Sequence, residues 1–224
     1  EHNQAYYKHY GFAEEQLVYA PHAVDNDRFS MDAAKQEANA LAEREQLSIP
    51  QHCFVFLYAG KFYEVKQLQL LVAAFQQLKG DHYRLLLVGS GEQEEQLRKT
   101  AANDHRILFQ AFRNQSEMPS LYRVGDVFVL PSKSETWGLA VNEAMACGRP
   151  AIVSDACGCA PELIVEGETG FTFRSGDGTG LLQVMEKFGD KAIAVEMGRK
   201  AAKHIEKFSL ERVAEVIEEE VKKV

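Results

Sequence analysis

Six short runs of nearly unbroken apolar residues, separated by longer amphipathic stretches, constrain this chain more than any other feature. The runs are CFVFLYAG (53–60), YRLLLVGS (83–90), RILFQ (106–110), DVFVLP (126–131), PAIVS (150–154) and GFTF (170–173). Successive side chains of a strand point to opposite faces, so a strand that is apolar throughout has both faces covered. Between the runs, QLQLLVAAFQQL (67–78) and EQEEQLRKTAA (92–102) carry helical spacing, and short helices are expected at 118–123 and 139–147. This alternation predicts an α/β fold, a doubly wound parallel sheet with helices on both sides.

From about Gly180 the chain reads as two or three helices, the last opening on Ser209 as N-cap with an apolar stripe behind it. The first part is different in kind, and PHAVDNDRF (21–29) within it is a loop rich in turn residues. We therefore expect a leading segment and interdomain linker over 1–51, the sheet domain over 52–207, and a final helix over 208–224.

The net charge of −8 argues against a general binder of nucleic acid or anionic membranes, although local lysines could still hold one anion. No run reaches the roughly eighteen apolar residues of a membrane span, and no stretch reads as a signal peptide. The chain opens on Glu1 and not on methionine, so an N-terminal part is expected to be missing. Cys53 and Cys147 read as small core residues, and Cys157-Gly158-Cys159 has no second ligand pair at zinc spacing. No metal is expected, and a reduced, cytoplasmic protein is the simpler reading.

In open parallel sheets ligands bind beyond the C-terminal ends of the strands, where the strand order reverses. For the order 3-2-1-4-5 that crevice lies between strands 1 and 4. The loop after strand 1, GKFYEVK (60–66), then brings Lys61 and Lys66 opposite Glu135 and Glu143, which belong to SETWGLAVNEAMACG (134–148). Gly138 and Leu139 start a helix there, and its free N–H groups suit a phosphate. Two lysines match a diphosphate. Neither glutamate suits an anion, so each is expected to accept hydrogen bonds from neutral hydroxyls on either side of it. A sugar–diphosphate–ribose guest, a nucleotide sugar, satisfies all of these groups.

SETWGLAVNEAMACGRPAIVSD resembles the donor-site signature of family-4 glycosyltransferases of the GT-B fold, which carry two glutamates separated by seven residues. APHAVDNDRF is similar to the family's interdomain linker, YAGKFYEVK to its basic loop and LLVGSGE to its glycine turn. LYRVGDVFVLPS is similar to the helix and strand before the signature, and GCAPELIVEGETGFTF to the segment after it. The resemblance implies one Rossmann-like half of a GT-B fold, the donor-binding domain of a retaining, metal-independent hexosyltransferase. Its donor would be a UDP- or GDP-linked sugar, with no further cofactor.

Carried over by position, Glu135 meets hydroxyls of the transferred sugar and Glu143 the ribose. Lys61 and Lys66 neutralise the leaving diphosphate. The amides of Trp137, Gly138 and Leu139 hold diphosphate and sugar, Gly60 and Gly89 shape the turns, and backbone near Phe112 meets the base. The final helix is expected to cross back to an N-terminal, acceptor-binding domain that this chain lacks, and any peripheral membrane contact would fall to that domain. Lys61 stands where the family often has arginine, which loses a bidentate fork. Trp137 stands where phenylalanine is usual. The absent domain also holds a histidine near the reacting centre that nothing here replaces.

Structural readings stand beside these. The lysines could be surface residues at a strand end, Trp137 a core plug, and Glu162 and Asp155 caps. His22 and His52 read as linker and strand-start residues. GSGE (89–92) lacks the third glycine of a dinucleotide fingerprint and follows the second strand, against a dehydrogenase. A nucleotide-binding module without catalysis remains as the alternative to an enzyme.

Overall fold

The computed structural model describes residues 2–223; Glu1 and Val224, at the outer ends of the first and last expected segments, lie outside the described residues. Strands β1 (Phe54–Lys61), β2 (Tyr83–Ser90), β3 (Ile107–Gln110), β4 (Val127–Leu130), β5 (Ala151–Ser154) and β6 (Gly170–Phe173) form one sheet in the order β3-β2-β1-β4-β5-β6. Every neighbouring pair is parallel. The order reverses between β1 and β4, as in the common 3-2-1-4-5 arrangement assumed for the crevice.

Both faces are covered for the reason the sequence suggests. Phe54 and Phe56 stack on Phe188 and, for Phe56, on Phe75, while Leu57 lies under Gly125 on the other side. All of these side chains are buried. Helices α1 (His2–His9), α2 (Asn26–Ser30) and α3 (Ala33–Gln46) precede the sheet. Within and after it come α4 (Leu68–Gln77), α5 (Glu94–Ala101), α6 (Met118–Val124), α7 (Leu139–Ala146), α8 (Ala160–Leu163), α9 (Gly178–Glu186), α10 (Lys191–Ile205) and α11 (Leu210–Val221). Helix α4 packs on α5 and α9, whereas α7 packs on α2, α6 and α10, which gives the two layers.

Two features depart from the sequence reading. Strand β1 runs one residue further, so Lys61 is held in the sheet opposite Ser90 instead of lying in a free loop. More substantially, α3 is a 14-residue helix inside the segment read as linker, and it packs on α6. Its buried side chains are Ala40 and Arg44, a stripe too thin to register as apolar periodicity. Polar contacts hold it instead: Arg44 pairs with Asp126 at 3.0 Å and donates to the Val124 carbonyl at 2.8 Å, and Glu43 pairs with Arg113 at 2.7 Å.

At the other end of the chain, Ser209 caps α11 by accepting from the Arg212 amide. Asn26 donates to the carbonyls of Ile205 and Phe208, which ties α2 to the approach to α11. The apolar stripe of α11 buries only Val216 and leaves Leu210, Ile217 and Val221 exposed.

Candidate functional site

The site begins where β1 and β2 end. Gly60 and Gly89 face one another in the register, and a Cβ on Gly89 would lie 1.8 Å from the Gly60 carbonyl oxygen. Only a bare backbone fits at Gly89 there. After β1 the chain makes a short 3-10 turn, Glu64–Lys66, that carries Lys66 toward β4. The Lys133 amide donates to the Val65 carbonyl at 2.7 Å and joins the loops after β1 and β4.

The loop after β4 is anchored on its far side by the segment after β5. The Gly158 amide donates to the Glu135 carbonyl at 2.9 Å and the Cys159 amide to the Trp137 carbonyl at 3.0 Å. A Cβ on Gly158 would sit 2.1 Å from the Thr136 carbonyl oxygen, so the close approach requires glycine. This clamp sets Glu135 against Lys66, whose ammonium donates to Glu135 Oε2. Both side chains are partly buried. The Tyr58 phenol lies beside them, donating to the Lys61 carbonyl at 2.8 Å; burial and then the charge of Glu135 push it up.

Gly138 is the N-cap of α7 with φ of 106°, a left-handed conformation that other residues resist. A side chain there would also strike Leu130 Cδ2 at 2.8 Å. No side chain caps the helix, so its first N–H groups are left for a guest. Leu139, next in line, is exposed. Trp137 is a core plug by its side chain. The indole is buried, stacks on His22 with centroids 4.5 Å apart, and donates to Asn142 Oδ1 at 2.9 Å.

Glu143 lies one turn into α7 and is half-buried. Burial raises its carboxyl above the ordinary glutamate value, opposed by a hydrogen bond from the Tyr122 hydroxyl at 2.5 Å and by the charge of Arg28. The two lysines were expected to face both glutamates. The structure instead joins Lys66 to Glu135, whereas Glu143 is met by Tyr122. Lys61 is exposed and leans over the Phe112 ring, 5.7 Å from its centroid. Phe112 itself projects from the loop after β3 and is 62% exposed.

Tyr122 and Asn142 are the residues that sequence reasoning missed. Both sit among apolar neighbours in short helices, and nothing in their spacing sets them apart. Asn142 accepts from Trp137 and donates to the His22 carbonyl at 3.1 Å, so it binds α7 to the linker. Cys157 and Cys159 are buried free thiols, and burial pushes Cys157 up to about 11. A cavity of about 820 Å³ lies between the leading segment and the loop before α7. Neither lysine and neither Glu135 nor Glu143 lines it, and it meets the site through Thr136, Trp137 and Gly158. None of the helices among the described residues is long and apolar enough to cross a membrane.

Comparison with known proteins bears on this arrangement. The D-inositol 3-phosphate glycosyltransferase of Streptomyces avermitilis is 30% identical over 207 residues, covering 86% of this chain and 44% of that protein. The N-acetyl-alpha-D-glucosaminyl L-malate synthase of Bacillus anthracis is 31% identical over 176 residues, covering 76% of this chain and 45% of its own length. The chain thus spans about half the length of the curated relatives it matches. Among solved structures, the sucrose-phosphate synthase of Thermosynechococcus elongatus superposes with a TM-score of 0.81 at 27% identity, over 99% of this chain and 56% of that one. The model of the family described as glycosyl transferases group 1 matches residues 39–205, and the chain belongs to that family.

Proposed function

We propose that this chain is the donor-binding half of a retaining glycosyltransferase that moves a hexose from a UDP- or GDP-linked sugar. The observation that carries the reading is the uncapped start of α7 at the β1/β4 reversal, flanked by one carboxylate on each side. A diphosphate on the amides of Gly138 and Leu139 would be met by Lys61 and Lys66. The hydroxyls of the transferred sugar would then fall to Glu135 and those of the ribose to Glu143, with the base near the Phe112 backbone.

In the reaction the bond from the anomeric carbon to the diphosphate breaks while a bond to the acceptor oxygen forms on the same face. The departing phosphate oxygen takes the acceptor's proton. Charge grows on that phosphate, where the lysines and the helix start stabilise it. The ion pair with Glu135 keeps Lys66 in place before the donor arrives. No residue here is asked to serve as nucleophile and no metal is needed for the step. The acceptor, and any contact with a membrane, would belong to an N-terminal acceptor-binding domain.

Calorimetric titration with UDP, GDP and ADP tests this. One nucleotide is expected to bind, and Glu143→Ala and Lys66→Ala should each weaken it. Titrations that stay flat for all three nucleotides would overturn the reading.

A further inference from the structure

One buried polar group touches the site and has no part in the donor contacts proposed above: the phenol of Tyr122. The residue lies in α6 and is 1% exposed. Its ring packs edge-on against Phe29 of α2 and Phe128 of β4, with centroids 6.1 and 5.5 Å away. Phenylalanine would fill this space equally well. A hydroxyl in such surroundings is costly unless it is paired. Its partner is Glu143 Oε2, at 2.5 Å.

That bond divides the two carboxylate oxygens. Oε2 is engaged from the core side, and Oε1 accepts no hydrogen bond from the described residues. Three charged or titratable groups face this carboxylate: Tyr122 from α6, Arg28 from α2, and Cys147 one turn further along α7. One Arg28 N–H donates to the Gln115 carbonyl, and the guanidinium acts on Glu143 through its charge without a hydrogen bond to it. Tyr122 is therefore the one group among the described residues that donates a hydrogen bond to Glu143.

We infer that Tyr122 is a positioning residue of the donor site, whose hydroxyl holds Glu143 through Oε2 and leaves Oε1 for the ribose hydroxyls. The inference rests on the donor-site reading given above. A charge-assisted bond of this kind limits the carboxylate to one orientation before the ligand arrives, which lowers the ordering cost of binding. It also favours the ionised form against burial, and only the ionised form has both oxygens free to accept.

The test is a double-mutant cycle of Tyr122→Phe and Glu143→Gln, read by calorimetry with UDP and GDP, with thermal melts to confirm folding. In parallel, the Glu143 carboxyl carbon is titrated by NMR in the wild type and in Tyr122→Phe, and assigned by its disappearance in Glu143→Gln. Tyr122→Phe is expected to weaken the bound nucleotide about tenfold and to move the Glu143 titration to higher pH. Added to Glu143→Gln, it should cost nothing further. An equal loss in the Glu143→Gln background would mean that Tyr122 acts on the fold at large, and would overturn the inference. Unchanged affinity in Tyr122→Phe, with affinity lost in Glu143→Gln, would overturn it and leave the donor site standing. Absence of nucleotide binding by the wild type would remove the donor-site reading and the inference together.

Discussion

The two ends of the sheet carry charge in opposite ways. At the N-terminal ends of β1, β4 and β5, charges are buried or partly buried and each has several partners, although the buried Nε of Arg123 makes no hydrogen bond. Asp126 pairs with Arg44, accepts from the Val55 amide at 2.7 Å and has Lys191 at 3.8 Å. Arg149 donates to both oxygens of Glu37 at 2.8 Å and to the Gly125 carbonyl. Arg123 donates to the carbonyls of Phe29 and Pro119. At the C-terminal ends Lys66 and Glu135 are paired, but among the described residues the Lys61 ammonium has only an aromatic ring beside it, Glu143 has one bonded oxygen, and α7 starts without a side-chain cap. Saturated charge joins elements together, whereas charge with donors and acceptors to spare is where a ligand adds something.

The largest effect that would sharpen this contrast is at the structural end. Arg44→Ala leaves Asp126 with only the Val55 amide and the more distant Lys191, and the loss should approach the roughly 3 kcal/mol lower bound for breaking a buried pair. Urea unfolding should show that loss, while nucleotide affinity of the folded protein stays within twofold. The reverse pattern is expected at the other end. Lys66→Ala in an intact two-domain enzyme should lower kcat by about 10²–10³, the range for losing one group that stabilises developing charge. Its melting temperature should barely change, and a large drop would mean that Lys66 is structural.

Gly138→Ala touches both properties. The left-handed conformation costs a residue with a side chain about 1–2 kcal/mol, and contact with Leu130 adds to it. Stability and nucleotide affinity should fall together. The raised Glu143 carboxyl predicts opposite trends with pH. A carboxyl that is higher in the fold than in the unfolded chain favours folding when protonated. Its contribution to stability is therefore present at low pH and is lost as pH rises through the raised value. Nucleotide affinity should run the other way, falling as pH drops through the raised value. Glu143→Gln should flatten both profiles. The smallest effect concerns Gln67, which takes a left-handed conformation with φ of 49° next to Lys66. Gln67→Gly should raise stability by less than about 1 kcal/mol, net of the greater entropy of glycine and of a lost bond from Ser175.

Much of the molecule was legible before folding. Residues 83–90 and 170–173 were read with the bounds that β2 and β6 have, because strands buried on both faces leave an unbroken apolar run. The reversal between β1 and β4 does not follow from that pattern: it belongs to the common order of such sheets, which the structure has, and the choice of the loops that carry Lys66, Glu135 and Gly138 depends on it. Helix α3 was not legible, since its buried positions are an alanine and an arginine whose partners lie far away in the chain. Nor was the choice of partners at the site. Spacing assigned two lysines to two glutamates but could not say that Lys66 would meet Glu135 while Glu143 met a tyrosine 21 residues earlier.

By itself, then, the sequence determined the layers and the direction of the strands, and it named the loops proposed for the site. These follow from periodicity and turn residues, which are local. Tertiary structure alone decided which charges are spent on one another and which remain available. That depends on side chains brought together from distant segments, where a few ångströms separate a saturated ion pair from a group with a free oxygen.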